Sequence, residues 1–86
     1  MKFIYSKAFT KAYDRLHERQ QAQVDEALRL FVANRRDPKL RDHALKGKMK
    51  AYRSCAAGFD LRIVYSEKNG FAVVVLIDVG THNQVY

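Results

Sequence analysis

Residues 59–79 read FDLRIVYSEKNGFAVVVLIDV, and they contain the strongest strand and turn signals in the chain. Its first half alternates polar and apolar residues, which is typical of a strand with one buried face. Its second half is almost entirely apolar, which favours a central strand. Between the two halves, Asn69-Gly70 is a strong signal for a tight hairpin turn. The stretch therefore predicts two antiparallel strands, the second of which is covered on at least one face.

The segments that precede this hairpin complete an α+β pattern. Residues 51–57, AYRSCAA, read as another strand, and residues 2–5, KFIY, read as a short strand near the start of the chain. Between these strands, apolar residues recur at helical spacing in two segments, and the second segment ends at Pro38. The order predicts an antiparallel β-sheet with a helical hairpin packed on one face, in a single domain of residues 1–86.

The alternation within residues 60–65 assigns the side chains of the middle strand to the two faces of the sheet. If the helices cover Leu61 and its alternate neighbours, then Asp60 and Arg62 point out from the exposed face. An antiparallel neighbour could place Arg53 beside Arg62. Because two adjacent arginines repel unless an anion lies between them, this pair is a candidate phosphate site.

Positive charge is concentrated in one segment of the chain. There are 16 Lys and Arg against nine Asp and Glu, which gives a formal net charge of +7. Residues 35–53 hold eight of these bases and only two acids, and much of this segment reads as a basic loop because it has little periodicity. Such a focused charge indicates a polyanionic partner, either nucleic acid or an acidic protein. The eight bases are Arg35, Arg36, Lys39, Arg41, Lys46, Lys48, Lys50 and Arg53.

The composition disfavours several classes of protein. A single cysteine, Cys55, allows no intrachain disulfide and fits a reducing compartment. Residues 1–9 contain no long apolar run, so we expect neither a signal peptide nor a membrane span and predict a cytoplasmic location. HxxxH and CxxC spacings do not occur, and the cationic surroundings disfavour a divalent ion. We therefore expect no metal and no cofactor.

Several residues could carry acid–base chemistry. His43 lies in the basic loop, His82 follows Gly80 at the end of the apolar strand, and Asp60 begins the middle strand. Each of them alone is more often an ordinary surface residue. Together with Arg62 they fit the cleavage of RNA, in which the 2′-hydroxyl is the nucleophile. Histidine suits either proton transfer, arginine stabilises the charged transition state, and a basic groove binds the flanking phosphates.

Four segments of the chain resemble a known family. LKGKMKAYRS (45–54), DLRIVYSE (60–67) and VGTHNQVY (79–86) resemble the RelE/ParE superfamily of bacterial type II toxins. DHAL (42–45), together with GTH and the terminal aromatic residue, resembles its YafQ-like branch. The resemblance spans essentially the whole chain. It implies a ribosome-dependent endoribonuclease that cuts mRNA on the 70S ribosome and is held inactive by a cognate antitoxin.

The resemblance also implies roles for individual residues. His43 matches the loop histidine of the YafQ-like branch, Asp60 matches its strand acid, and His82 matches the histidine of GTH. Arg62 matches a catalytic arginine of the RelE branch instead, and Tyr86 matches a terminal aromatic that is Phe in the YafQ type. We expect His43, assisted by Asp60, and His82 to transfer the protons. Arg62 would stabilise the transition state, and Tyr86 would orient the scissile phosphate or stack on a base.

The chain departs from the YafQ pattern at two positions. Ala56 stands where the pattern has a histidine, and Leu61 stands where it has a tryptophan, so one acid–base group of the pattern is missing. Binding of ribosomal RNA or message backbone is expected from bases in and next to the basic loop. These bases are Arg41, Lys46, Lys48, Lys50 and Arg53.

Two other functions remain open from the sequence. A gyrase-directed toxin of the ParE branch would share the fold, block supercoiling and leave mRNA intact. A non-catalytic module would use the same basic groove to dock an acidic protein. An alanine scan of His43, Asp60 and His82 separates catalysis from docking, because only catalysis depends on all three side chains.

Overall fold

The computed structural model describes residues 1–86, which form one five-stranded sheet with two long helices on one face. The strand order is β1-β5-β4-β3-β2. This arrangement confirms the predicted α+β class with a helical hairpin on the sheet. The elements are β1 (Lys2–Tyr5), α1 (Lys7–Arg15), α2 (Glu18–Ala33), β2 (His43–Ala44), β3 (Arg53–Ala57), β4 (Leu61–Lys68), β5 (Val73–Thr81) and α3 (His82–Val85).

Side-chain caps define where the two long helices begin. The Ser6 hydroxyl accepts a hydrogen bond from the Phe9 amide at 3.0 Å and donates one to the Ile77 carbonyl at 2.8 Å, so it also ties α1 to β5. His17 caps α2, because its Nδ1 accepts from the Gln20 amide at 3.3 Å. This capping box separates the two helices without a glycine or a proline. No helix combines the length and the apolar character needed to cross a membrane.

The core lies between the helices and one face of the sheet. Leu61, Ile63 and Tyr65 are all fully buried against the helices, which confirms the face predicted from their alternation. The Tyr65 ring packs edge-on against Phe31 of α2, with ring centroids 5.1 Å apart. The buried cluster consists of Phe9, Val24, Ala27, Phe31, Leu40, Cys55, Ala57, Leu61, Ile63, Tyr65, Val74, Leu76 and Val79.

The sheet is not wholly antiparallel as predicted, because β1 pairs with β5 in parallel. Phe3 lies opposite Val74 in this pair, and its ring packs against Phe31 in the core. Alternation along a strand shows which residues share a face, but it contains no information about the direction of the neighbouring strand. The sequence could therefore predict the strand but not its orientation.

The segment predicted as a basic loop is more ordered than its lack of periodicity indicates. Two short 3-10 turns, Pro38–Leu40 and Gly47–Met49, flank the two-residue strand β2. Leu40 is only 1% exposed and belongs to the core cluster. The tail after β5, for which no element was predicted, forms the short helix α3. Both segments that carry the candidate histidines are therefore held against the sheet.

Candidate active site

The candidate site lies on the face of the sheet opposite α1 and α2, which we call the open face. Residues that pair across adjacent strands point to the same face, so the register identifies the residues that it presents. One row across the open face comprises Ala56, Arg62 and Gly80, and the next comprises His43, Ser54, Val64 and Asp78.

Helix α3 folds back over the open face directly after β5. Gly80 is buried beneath it, and a Cβ atom at this position would lie 2.7 Å from Gln84 Oε1 and 3.1 Å from Gln84 Cβ. The Thr81 amide donates to the same Gln84 Oε1 at 2.8 Å and closes the capping box of α3. A side chain at position 80 would therefore displace Gln84 and disturb the capping box of α3.

His82 at the start of α3 and Tyr86 directly after its last residue extend the site. The Tyr86 hydroxyl donates a hydrogen bond to Ser54 Oγ, which is fully buried. The rings of His82 and Tyr86 meet edge-on with centroids 4.6 Å apart. Because Ser54 is the register partner of His43, the tail brings His82 and Tyr86 onto the face that carries His43.

The imidazole of His43 is oriented by the backbone of its own segment. Its Nδ1 lies 2.8 Å from the carbonyl oxygen of Arg41. A carbonyl can only accept a hydrogen bond, so Nδ1 must carry the proton. In the neutral ring, Nε2 is then the unprotonated nitrogen. His43 is exposed and therefore presents a nitrogen that can accept a proton to a ligand on the open face.

Arg62 is held against the turn that precedes β4. Its Nη1 donates to the Leu61 carbonyl at 2.8 Å and to the Phe59 carbonyl at 3.3 Å. The remaining N–H groups of the guanidinium have no hydrogen bond within the protein. The backbones of Arg62 and His43 are separated by about 7 Å along the strands and about 10 Å across them, which leaves room for a nucleotide between the side chains.

Asp60 does not lie beside His43. It is an exposed residue of the turn before β4, about 13 Å along the strand direction from Val64, which shares the row of His43. The Nδ1 of His43 bonds to the Arg41 carbonyl, so no hydrogen bond supports the expected assistance of His43 by Asp60. A catalytic role for Asp60 by some other contact stays a prediction.

Arg53 does not pair with Arg62. The register places Arg53 opposite Tyr65 and Ala56 opposite Arg62, so Arg53 points to the helix side of the sheet. The predicted phosphate site between the two arginines is therefore wrong. The prediction assumed the wrong register between β3 and β4. That register depends on the geometry of the turn between the two strands and not on alternation alone. The contact of Arg53 with RNA stays a prediction.

Arg53 belongs instead to a polar cluster centred on Asp42, which we call the Asp42 cluster (Arg35, Asp42, Arg53 and Tyr65). The Asp42 side chain is only 6% exposed, and its Oδ2 accepts from Arg35 at 2.6 Å and from Arg53 at 3.3 Å. The Tyr65 hydroxyl donates to Oδ1 of the same carboxylate. Burial and this hydrogen bond raise the pKa of Tyr65. The Arg35 guanidinium also lies 3.7 Å above the centre of the Phe71 ring.

The Asp42 cluster positions the segment that carries His43. Leu40 is anchored in the core and Asp42 in the cluster, so the backbone on the N-terminal side of His43 is fixed at two points. Sequence reasoning counted Asp42 only as one of two acids in a basic segment, and it assigned no role to Ser54. The available signal for Asp42 was its place in the DHAL motif next to His43.

The structure also locates the lysines of the basic loop and the single cysteine. The bases Lys46, Lys48 and Lys50 are exposed around the 3-10 turn at the tip of the β2–β3 hairpin. Cys55 is buried, and burial raises the pKa of its thiol to about 12, so it is not a nucleophile. No group of three His, Cys, Asp or Glu side chains is arranged to hold a metal ion.

The strand order and the paired helices on one face of the sheet define the RelE/ParE-like fold. The family model described as a bacterial toxin of the type II toxin-antitoxin system, YafQ, matches residues 1–86. The chain belongs to the YafQ family. A comparison with curated protein sequences gave no match.

Solved structures of toxins share this fold. The crystal structure of YafQ from E. coli superposes with a TM-score of 0.83 at 19% identity, covering 99% of this chain and 97% of that one. A copper-bound mutant toxin from Helicobacter pylori gives a TM-score of 0.77 at 28% identity, covering 100% and 99%. The E. coli DinJ-YafQ toxin-antitoxin complex gives 0.79 at 20% identity, covering 99% and 96%.

Proposed function

We propose that this toxin is a ribosome-dependent endoribonuclease that cleaves mRNA by metal-free acid–base catalysis. The observation that carries the proposal is the placement of His43, Arg62, His82 and Tyr86 on one open face. These residues come from three separate segments, and the register and the fold of α3 bring them together. A toxin whose basic surface served only for docking would not require two exposed histidines around an arginine.

The chemistry follows from the position of each group. Nε2 of His43 accepts the proton of the 2′-hydroxyl, and the 2′-oxygen forms a bond to the adjacent phosphorus. The bond from phosphorus to the 5′-oxygen then breaks, and His82 in its protonated form gives a proton to that leaving oxygen. The products are a 2′,3′-cyclic phosphate and a 5′-hydroxyl. Arg62 neutralises the negative charge that builds up on the phosphorane oxygens.

Tyr86 orients the reacting groups through its ring. Its hydroxyl is already bonded to Ser54, so the ring edge and face are the parts that remain available. The edge-on contact with His82 limits the rotation of the imidazole. The exposed face of the ring can stack on an unpaired base, which is the usual mode of recognition of single-stranded RNA.

The partners follow from the same surface. The lysines around the tip of the β2–β3 hairpin lie next to His43 in sequence and would bind ribosomal RNA or message backbone. Because E. coli YafQ has been solved in complex with DinJ, we infer that a cognate antitoxin also binds this toxin and neutralises its basic face. All of these partners place the toxin in the cytoplasm.

The test is inducible expression in bacteria of the wild type and of His82→Ala. We expect wild-type toxin to arrest growth and to create new 5′ ends inside translated codons, as seen by primer extension on an abundant mRNA. Loss of a proton donor should reduce cleavage about 100-fold or more. Asn83→Ala is the matched control, since Asn83 is an exposed neighbour in the same helix and makes no side-chain hydrogen bond.

Other results would redirect the assignment. If His82→Ala arrested growth as strongly as the wild type and left the same 5′ ends, His82 would have no part in catalysis. Growth arrest with intact mRNA would point to gyrase as the target. Absence of arrest with the wild type would leave a binding module.

A further inference from the structure

Phe59 is the most exposed of the large apolar residues, with 94% of its surface accessible. It lies at the tip of the turn between β3 and β4, and this turn contacts α2. Gly58 adopts a φ of +70°, and a Cβ atom there would lie 2.8 Å from the side chain of Gln23 in α2. The turn is therefore packed on α2 and presents the aromatic ring to solvent.

The ring forms the rim of a surface groove, which we call the Phe59 groove. It has a volume of about 980 Å³ and runs between α2, the 3-10 turn Pro38–Leu40 and the β3–β4 turn. Its floor is apolar, with Leu30, Leu40 and Ala56. Four bases and one acid line its walls, so its charge favours an anionic ligand. These charged residues are Arg19, Lys39, Arg41, Arg62 and Glu26.

The Phe59 groove is continuous with the candidate active site through one residue. Arg62 lines the groove and also belongs to the open face, where it shares a row with Gly80. Its guanidinium donates a hydrogen bond to the carbonyl of Phe59. A ligand with a phosphate on Arg62 therefore has an exposed aromatic ring immediately beside that phosphate.

We propose that Phe59 and its groove bind one unpaired nucleotide of the RNA, next to the phosphate held by Arg62. The base stacks on the Phe59 ring, and the guanidinium of Arg41 contacts the following phosphate. This proposal rests on the proposed function, because it extends the same RNA site. A nearly bare aromatic ring beside an arginine suits a planar base, which gains from stacking whatever its sequence.

The absence of tryptophan from the chain allows a direct test. Phe59→Trp introduces the sole indole, whose fluorescence a stacked base quenches. We expect a saturable quench on titration with a single-stranded RNA hexamer carrying 2′-O-methyl groups, which the toxin cannot cleave, and a weaker response at high salt. Val32→Trp is the control, since Val32 is exposed on the side of α2 away from the groove. It should show no quench.

A second measurement separates stacking from general affinity. Fluorescence anisotropy of the labelled hexamer should show about tenfold weaker binding to Phe59→Ala and near-normal binding to Phe59→Tyr, which keeps an aromatic ring. Equal affinities for wild type and Phe59→Ala, no detectable binding of the hexamer, or equal quenching of both tryptophan variants would overturn the proposal. Quenching of Phe59→Trp by hexaglutamate but not by RNA would also overturn it, and would indicate an acidic peptide as the ligand.

The outcome is independent of the test of catalysis. If His82→Ala abolishes mRNA cleavage while Phe59→Ala binds and cleaves RNA normally, the proposed function stands and the nucleotide site fails. If the wild type makes no cuts in mRNA while the stacking signals are present, the Phe59 groove binds RNA and the proposed function fails.

Discussion

The Asp42 cluster and the α3 end of the open face use polar and aromatic side chains in opposite ways. In the cluster, a carboxylate that is 6% exposed is bonded to two arginines and a tyrosine, so its members satisfy one another. On the open face, His82 is exposed and its ring makes no hydrogen bond within the protein. Tyr86 is 42% exposed, and its hydroxyl makes the only side-chain hydrogen bond of the residue.

This difference indicates that the Asp42 cluster contributes to stability, whereas the residues around α3 contribute to activity. A buried polar network is stable only when each member has its partners, and removal of one member leaves the others unpaired. Groups that are to bind a phosphate or transfer a proton must instead keep free donors and acceptors. We therefore expect substitutions in the Asp42 cluster to change stability and substitutions around α3 to change activity.

Asp42→Ala should have the largest effect, because it disrupts the Asp42 cluster. It leaves Arg35 and Arg53 without their carboxylate and should lower the free energy of unfolding by about 3 kcal/mol. Urea denaturation followed by circular dichroism measures this loss. Asp14→Ala is the control, because Asp14 is exposed on α1 and should cost little. A midpoint for Asp42→Ala equal to that of the control would mean that the cluster is not structural.

Gly80→Ala should disturb the position of α3 on the open face and so reduce cleavage. The added Cβ collides with Gln84 and displaces α3, and a shift of His82 by about 1 Å can reduce cleavage about 100-fold. Gly70→Ala is the contrast, since Gly70 has a φ of +62° and open space around it. It should lose about 1 kcal/mol of stability from backbone strain and keep its activity. Full cleavage by Gly80→Ala would show that the position of α3 does not matter.

Tyr65→Phe tests how the stability of the Asp42 cluster depends on pH. Burial, followed by the bond to Asp42, raises the pKa of Tyr65 above its ordinary value of 10.0. The unfolded chain then releases this proton at a lower pH than the folded protein does, so stability is complete below pH 10 and falls as the pH rises above it. Tyr65→Phe should lose about 1 to 2 kcal/mol at neutral pH and show a flatter decline above pH 10. Parallel declines in the two proteins would exclude Tyr65 as the titrating group.

Tyr86→Phe should have the smallest effect. It removes the partner of the buried Ser54 hydroxyl, which should cost about 1 kcal/mol, while the aromatic ring stays in place and cleavage is retained. A double-mutant cycle with Ser54→Ala measures the coupling between the two hydroxyls. Strict additivity of the two substitutions would show that the hydrogen bond contributes nothing to stability.

Several features of this protein were determined by the sequence alone. The turn at Asn69-Gly70 and the apolar run after it predicted the central hairpin, and alternation placed Leu61 and Arg62 on opposite faces. These predictions succeed because a strand has a side-chain period of two, which is legible in the sequence. The resemblance of the DHAL and GTH segments pointed to His43 and His82 before any geometry was known.

Which residues far apart in the chain contact one another depends on the tertiary structure. The register set Arg53 opposite Tyr65, and the parallel direction of β1 followed from its neighbour β5. The partner of the His43 ring is a backbone carbonyl two residues away, and the Asp42 side chain is only 6% exposed although both of its neighbours in sequence are exposed. The side-chain period of a strand shows only which of its residues share a face. Register, strand direction and hydrogen-bond partners depend on turns and on contacts between segments far apart in the chain.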